Sequence, residues 1–247
     1  MRAVLPLFLR APAAVLLLLV TGTLGAAQDA LTVNPGIVSV AFEDARVRVL
    51  RIRCGPHEKL AVHSHPSVAT VSITASNVRV TQSNGAVSQS RHASGDVYWS
   101  EPATHTVENL SDQPTELIQI EFKNAPQPAV NSGPHKSSGK LPAGAPLPVE
   151  DEPHHHLVYQ NQYLRMLEVR LPPGETTEFH THSHDNLAVR LSEAMVTRQD
   201  QGQEWVPVTK VVPGEVSLTK GAASPYTHRV RNAGSTPFRV IDVELLQ

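Results

Sequence analysis

The sequence repeats itself, and this duplication constrains the fold more than any other feature. Residues 102–109 read PATHTVEN and recur as residues 225–232, which read PYTHRVRN. The alternating segments 118–122 and 241–245 follow these two at the same distance. Other matches in the same order are Arg48-Val-Leu-Arg-Ile52 with Arg165-Met-Leu-Glu-Val169, and Gly95-Asp-Val with Gly214-Glu-Val. A chain that repeats with a period of this kind is expected to fold as two similar units.

Within each copy the hydrophobic pattern has a period of two residues. Val71-Ser-Ile73 and Val78-Arg-Val80 alternate apolar and polar side chains, as a strand with one buried face does. Asn84-Gly85 lies between two such runs and predicts a type I′ hairpin turn, and Gln201-Gly202 stands at the matching place. Because the chain also has 20 Pro and 14 Gly, we predict an all-β fold of many short strands. We expect two barrels side by side, each with its own core.

The two copies are separated by a segment of different composition. Residues 125–152 are rich in Pro, Gly, Ser and Ala and show almost no periodicity, which is typical of a linker between domains. The predicted barrels therefore cover residues 34–124 and 153–247 of the chain.

Residues 1–27 have the three regions of a secretory signal peptide. Arg2 and Arg10 lie in the first region, residues 11–20 are apolar apart from Pro12, and small residues lead to Ala27. An uncleaved membrane anchor is the alternative, but this apolar run falls short of the ~20 residues that span a bilayer. We expect cleavage near Ala27, no stable membrane insertion afterwards, and a secreted or periplasmic protein.

Charge and cysteine content exclude several classes of protein. The 21 Lys and Arg residues are balanced by 23 Asp and Glu residues, for a net charge of −2. Without a basic patch we expect no nucleic-acid partner. The single cysteine, Cys54, excludes an internal disulfide and a cysteine-based zinc site. The oligomeric state stays open between a monomer and a homo-oligomer.

The chain has 13 histidines, and their clustering predicts a metal site. His63 and His65 would project to the same face of a strand, because side chains alternate along it. His105, further along the chain, could converge with them, and three neutral imidazoles suit a divalent metal such as Fe, Zn, Ni or Cu. Isolated histidines such as His57, His92 and His135 are expected at the surface or in loops. The run His154-His155-His156 at the end of the linker is more typical of a solvated segment.

These residues resemble the two sequence motifs of the cupin superfamily. The resemblance rests on His63-x-His65, the turn Gly95-Asp96 and the spacing Pro102-x-x-His105-x-x-x-Asn109, and it recurs once in each copy. It implies a bicupin: two small antiparallel jelly-roll barrels that each hold a metal ion between the two motifs. It also implies that His63, His65 and His105 are the ligands in the first copy and that His228 is the second-motif ligand in the second copy.

The first-motif pair of the second copy is ambiguous. Spacing from Gly174 favours His180 and His182, with Asn186 near the place where cupins commonly have a glutamate. Matching of the tripeptide favours His182 and His184, with Asp185 adjacent. All three histidines are therefore candidates. In the first copy, residues 66–70 contain no carboxylate, so that site would have histidine ligands alone.

Three kinds of function fit these predictions. A three-histidine site with open positions can bind O₂ or polarise a carbonyl, so one candidate is an exported metal-dependent oxygenase or isomerase that acts on a small organic molecule. The alternatives are a non-catalytic barrel that binds a small ligand or a metal, and a structural barrel. We favour a metal-binding protein and an enzyme, with Fe, Zn, Ni, Cu or Mn as its metal and the substrate undetermined.

Overall fold

The structure is a computed structural model that describes residues 28–124, 142 and 144–246. The predicted signal peptide, most of the predicted linker and His135 lie outside the described residues. The part of the chain that is described is almost entirely β-structure, which confirms the predicted all-β class. None of its helices has the length and apolar character needed to cross a membrane.

The first barrel consists of two antiparallel sheets. Its elements are α1 (Ala30–Val33), β1 (Val38–Glu43), β2 (Val47–Cys54), β3 (Lys59–His65), β4 (Val68–Ser72), β5 (Ser76–Gln82), β6 (Val87–His92), β7 (Val97–Ser100), β8 (Ala103–Asn109) and β9 (Thr115–Phe122). One sheet has the strand order β1-β2-β9-β4-β7, and the other has the order β3-β8-β5-β6. The His-x-His strand and the strand of the second motif are therefore direct neighbours.

The second barrel repeats this arrangement. Its elements are β10 (Leu147–Pro148), a 3₁₀ turn (Val149–Asp151), β11 (His155–Gln160), β12 (Leu164–Leu171), β13 (His180–His182), β14 (Asp185–Arg190), β15 (Ala194–Asp200), β16 (Thr209–Val211), β17 (Val216–Lys220), β18 (Tyr226–Asn232) and β19 (Phe238–Leu245). The sheet orders are β11-β12-β19-β14-β17 and β10-β13-β18-β15-β16. The first of these corresponds to the five-stranded sheet of the first barrel, strand for strand.

Each barrel begins with a short segment that runs parallel to its His-x-His strand. Leu147 and Pro148 pair in parallel with His180 and Thr181, and Asp29 forms a parallel bridge with Ser64. Both segments precede the barrel boundaries at residues 34 and 153 that the sequence predicts. The Pro-rich composition hides the second segment, because its two strand residues are too few to show periodicity.

The two barrels share a large hydrophobic core in addition to a smaller buried cluster inside each barrel, so the expectation that the two cores are separate is correct only for the smaller clusters. The largest buried cluster contains side chains from the five-stranded sheets of both barrels, including Ile118, Ile120, Met166, Leu187 and Ile241. Each of these sheets buries one face against the other barrel and the opposite face inside its own barrel. This explains why all five residues of β4 are buried, although a strand with one solvated face would alternate.

Charged residues join the barrels at the edge of the shared core. Arg46 pairs with Asp185 of the second barrel, and Nζ of Lys220 lies 2.7 Å from Oδ2 of Asp44 in the first barrel. Burial would raise the pKa of Asp44, but hydrogen bonds from Lys220 and from the backbone amides of Val47 and Arg46 lower it to about 2. The carboxylate is therefore ionised wherever the protein is folded near neutral pH.

The predicted hairpin at Asn84-Gly85 is present, but its turn is not type I′. A type I′ turn needs a positive φ at both central residues, and among the described residues His57 is the only non-glycine with a positive φ. Gly85 alone adopts it here, with φ 85°. The amide of Gly85 donates to Gln82 O and the amide of Gln82 donates to Ala86 O. The glycine therefore follows the turn rather than forming half of it.

Candidate metal centre

The second barrel gathers the histidines of both motifs on neighbouring strands. His180 and His182 alternate with Thr181 along β13, so both rings enter the barrel, where they are 1% and 0% exposed. Strand β18 runs antiparallel beside β13 and places His228 directly opposite His180. The ring centroids of His180 and His228 lie 4.6 Å apart, and those of His182 and His228 lie 5.2 Å apart. The structure thus brings together three of the predicted ligands.

His184 lies outside this group. It occupies the half-buried turn between β13 and β14. The neighbouring carboxylate of Asp185, which accompanies the alternative pair, is bound to Arg46 and accepts a hydrogen bond from the amide of Ala222 at 3.0 Å. Asn186, by contrast, contacts the site, because its Nδ2 lies 3.2 Å from Nδ1 of His182. The geometry therefore favours the pair of His180 and His182.

The rings offer nitrogen lone pairs to the interior. Nδ1 of His180 lies 2.9 Å from the carbonyl oxygen of Glu178, and a donated hydrogen bond there leaves Nε2 unprotonated. Nε2 of His182 and Nδ1 of His228 are buried without a hydrogen-bond partner. Buried polar atoms normally have a partner. Buried imidazole nitrogens without a partner among the described residues are therefore candidate donors to a metal ion.

Burial keeps the imidazoles of His180 and His228 neutral. It lowers the pKa of His180 to about 3, and the nearby His155 and His182 lower that pKa further. Burial also lowers the pKa of His228 far below its usual range, again with a contribution from the neighbouring rings. A neutral imidazole is the form that binds a metal ion.

A fourth ring, that of His155, belongs to the same cluster. Ligand atoms of His155, His180 and His182 lie within 4.8 Å of one another, and this is the only such group of three among the described residues. His155 is 7% exposed, so the expectation that the run at residues 154–156 is solvated is wrong for this residue. His155 and His156 belong to β11 rather than to a linker, and His155 points into the barrel.

His155 is held between two carboxylates. Its Nδ1 lies 2.5 Å from Oε2 of Glu152, and its Nε2 lies 3.5 Å from Oδ2 of Asp242. Burial would lower the pKa of His155, but the hydrogen bonds to Asp242 and Glu152 raise it to about 9. Burial would raise the pKa of Glu152, but hydrogen bonds from His155 and His154 lower it to about 2. The ring is therefore an imidazolium between two carboxylates.

Comparison of the two copies could have identified His155 in the sequence. His155 pairs with Val169 in the register in which Val38 pairs with Ile52. The same registers place Gln119 of the first barrel at the position of Asp242. A histidine that replaces a buried valine, together with an aspartate that replaces a glutamine, is a coordinated difference between the copies. Only a strand-by-strand alignment shows it, because the linker composition obscures the start of the second copy.

The four rings lie at one end of a cavity of about 270 Å³. Its walls are mainly apolar and include Val169, Val196, Val211 and Phe238. Tyr226 also lines it and stacks on the ring of His182 at 4.9 Å between centroids. A cavity with apolar walls and a few convergent polar groups is the usual form of a small-molecule site.

The first barrel has a corresponding but different set of histidines. His63 and His105 pair directly across β3 and β8, and the ring of His105 lies 4.9 Å from that of His63 and 5.0 Å from that of His65. Burial lowers the pKa of His105 to about 4. The three predicted ligands thus converge, but their ring nitrogens do not reach the close spacing found in the second barrel. Val68 occupies the place of Asn186, by the register with β9 and β19.

No family model matches the chain, and no curated protein matches it. Several solved structures match the chain. AerE from Microcystis aeruginosa is 11% identical with a TM-score of 0.56, over 85% of this chain and 98% of AerE. Oxalate decarboxylase from Lactobacillus farciminis, solved as a formate complex, is 15% identical with a TM-score of 0.54, over 84% of this chain and 80% of the decarboxylase.

Salicylate 1,2-dioxygenase from Pseudoaminobacter salicylatoxidans is a further structural neighbour. It is 14% identical with a TM-score of 0.50, over 81% of this chain and 68% of the dioxygenase. At these identities the likeness concerns the fold, and it extends across both barrels.

Proposed function

The chain has a bicupin-like fold of the cupin superfamily, with two tandem jelly-roll barrels, and on this premise we propose that its second barrel is a divalent-metal site that acts on a small organic molecule. One observation carries the proposal: ligand atoms of the buried His155, His180 and His182 lie within 4.8 Å of one another in the wall of a cavity of about 270 Å³.

We assign His180, His182 and His228 as the residues that would hold the metal. His180 and His182 belong to every ligand set that the geometry allows. His228 lies outside the group of ligand atoms within 4.8 Å, but its ring centroid is 4.6 Å from that of His180. We assign it as the third ligand because its Nδ1 is buried without a partner among the described residues, whereas both nitrogens of His155 face carboxylates. A divalent ion such as Fe, Zn, Ni, Cu or Mn on three imidazoles keeps open positions, from which it can polarise a carbonyl or bind O₂.

Other residues of this barrel would support the chemistry without binding the metal. Asn186 contacts Nδ1 of His182 and would orient that ring with Nε2 free for the metal when its amide oxygen, which has no partner among the described residues, accepts from Nδ1. The imidazolium of His155 holds a proton on Nε2 beside Asp242 and lines the same cavity. A proton-holding group and a substrate-sized cavity next to the histidines favour an oxygenase or isomerase.

A non-catalytic binding barrel is the second candidate, and Asn186 is the observation that favours it. Asn186 stands beside His182 where the cupin resemblance implies a carboxylate ligand. An amide provides a weaker ligand and no proton acceptor of similar strength. Steady turnover of any small organic molecule by the metal-loaded protein would decide in favour of the enzyme.

We also propose that the protein is exported. Support comes from the basic, apolar and small-residue order of residues 1–27. Expression of the full chain with fractionation and N-terminal sequencing tests this. The proposal expects a mature protein outside the cytoplasm that begins near Gln28. An intact Met1 on cytoplasmic protein would contradict it.

Cobalt titration tests the metal site directly. We expect Co²⁺ to bind the second barrel of the mature chain, since imidazole ligands suit this ion. The visible absorption bands of this site should saturate at about one equivalent of Co²⁺ per chain. A variant that carries both His180→Ala and His182→Ala should lose the bands. The matched control is His57→Ala, because His57 is exposed and pairs with Asp112 at 2.7 Å. Equal bands in the double variant and the parent protein would refute the site.

A further inference from the structure

The last residue of β14 extends the site away from the histidines. Asn186, Ala188 and Arg190 alternate on one face of this strand, and all three line the cavity. Leu187 and Val189 face the shared core between the barrels. Arg190 lies roughly 13 Å along the strand from Asn186, at the ~3.3 Å per residue of a β-strand. The cavity therefore has imidazoles at one end and a guanidinium toward the other.

The guanidinium of Arg190 has no carboxylate partner among the described residues. Its Nη1 donates to Ala188 O at 2.8 Å and to Ser217 Oγ at 2.6 Å, which are both neutral acceptors. Its Nε is buried and makes no hydrogen bond. An arginine is charged at any physiological pH, so the barrel holds a positive charge whose hydrogen-bonding capacity is only partly used.

Three other arginines of this barrel are paired with carboxylates. Arg165 pairs with Glu244 and Arg239 pairs with Glu168, at 2.5 Å and 2.6 Å. Arg198, which also lines the cavity, pairs with Asp200 at 2.6 Å. Glu215 is near Arg190 in the cavity wall, but its side chain is exposed and accepts from the amide of Val212 at 3.3 Å. Arg190 is thus distinguished by its free donor and not by its charge alone.

The fold does not require an arginine at this position. The amide of Arg190 donates to Glu215 O and its carbonyl accepts from Gly214, at 3.0 Å and 2.8 Å. Ser72 makes the equivalent pair of bonds with Asp96 and Gly95, at 2.9 Å and 2.8 Å. The same backbone site therefore carries a serine in the first barrel. The first barrel folds without an arginine here, and in the second barrel Nε of Arg190 is buried without a hydrogen-bond partner among the described residues. These two observations together point to a ligand.

We propose that Arg190 binds the carboxylate of the small molecule that occupies the second barrel, so that the ligand is an organic acid with an apolar body. This inference rests on the proposed function, because it takes the same cavity as the ligand site. A planar guanidinium forms bidentate hydrogen bonds with a carboxylate. Valine and phenylalanine side chains of the wall would contact the apolar body, and the part of the acid that reacts would face the histidines.

Calorimetry with a matched pair of probes tests the inference. Benzoate and benzamide have the same shape, and only benzoate carries the charge. We expect the mature, metal-loaded protein to bind benzoate about tenfold to a hundredfold more tightly than benzamide, as charge-assisted hydrogen bonds do. Arg190→Ser, which copies the first barrel, should remove this preference. Arg79→Gln is the control, because it removes one positive charge from an exposed pair with Glu108 in the first barrel.

Arg190→Lys provides a second variant that keeps the charge and loses the planar fork. It should retain part of the preference for benzoate, and it keeps the test valid if the serine variant folds poorly. Equal affinity of the parent protein for benzoate and benzamide would overturn the inference. An undiminished preference in a folded Arg190→Ser variant would overturn it as well.

The metal content of the same samples separates the two proposals. If the chain takes up no metal and the preference for benzoate still depends on Arg190, the metal proposal fails and the carboxylate inference holds. If the chain takes up metal and shows no preference for benzoate, the metal proposal holds and the inference fails.

Discussion

His155 and Val38 occupy the same position in the two barrels: each begins the first strand of its five-stranded sheet and pairs with the equivalent residue, Val169 or Ile52. Both side chains are buried. In the second barrel the position is polar and lies between the carboxylates of Glu152 and Asp242. This difference places charged groups next to the histidine cluster of the second barrel, where the first barrel has the uncharged Val38 and Gln119.

His155→Val should destabilise the protein by about 3–5 kcal/mol at neutral pH, because it leaves two buried carboxylates without their cation. Urea unfolding measures this loss. The triple variant with Glu152→Asn and Asp242→Gln as well reproduces the polarity of the first barrel, so it should recover part of the stability. A loss of less than about 1 kcal/mol in the single variant would show that the buried charges are not coupled as described.

Asp44 should contribute to stability in a defined range of acid pH. Its pKa is lowered to about 2 in the folded protein, where Lys220 and two backbone amides outweigh burial. A lowered pKa stabilises the fold above the pKa of the unfolded chain, near 3.9, and this contribution disappears as the pH falls from about 4 to about 2. The free energy of unfolding of Asp44→Asn should therefore change less with pH across this range. Asp112→Asn, at an exposed carboxylate in the same barrel, is the matched control variant.

The shared core predicts that the two barrels unfold together. The chain has two tryptophans, Trp99 in the first barrel and Trp205 in the second, so single-tryptophan variants report on each barrel by fluorescence. Their urea transitions should coincide. Ile118→Ala, at a fully buried position of the shared core, should lower both midpoints, at a cost of about 2–5 kcal/mol. Two separate transitions, with only the first barrel affected, would contradict a common core.

Variants at the candidate third ligand distinguish the histidines of the cluster. His228→Ala should abolish tight metal binding, while His155→Val and His184→Ala should retain it, because His155 is engaged by carboxylates and His184 lies outside the cluster. Metal affinity measured by competition with a chelating dye provides the comparison. Retention by His228→Ala together with loss by His155→Val would exchange the roles of these two residues.

Much of the fold could be predicted because the same hydrophobic and histidine pattern occurs in both halves of the sequence. The period of two predicts strands, and the repeated spacing from the His-x-His pair to the second-motif histidine predicts that His180 and His228 meet across neighbouring strands. The shared core was not predictable from the same pattern. Alternation shows that a strand has two faces, but it does not show that the second face of β4 or β14 is covered by another barrel.

Parts of the site were hidden for a different reason. His155 and Glu152 lie next to a Pro-rich segment, where composition indicates a linker although the strand has begun. Arg190 belongs to no sequence motif. It is a candidate because no carboxylate among the described residues pairs with it in the folded barrel. Contacts of this kind depend on strand register across the sheet, which no local pattern encodes.

The most direct test of the account is the metal content of the mature protein, purified without chelator or nickel resin and measured by elemental mass spectrometry. It should be compared with that of His63→Ala/His65→Ala and of His180→Ala/His182→Ala. We expect at least one equivalent of a divalent transition metal per chain. His63→Ala/His65→Ala should keep the metal of the second barrel, and His180→Ala/His182→Ala should lose it. The same metal content in the parent protein and in folded His180→Ala/His182→Ala would contradict a metal centre in the second barrel.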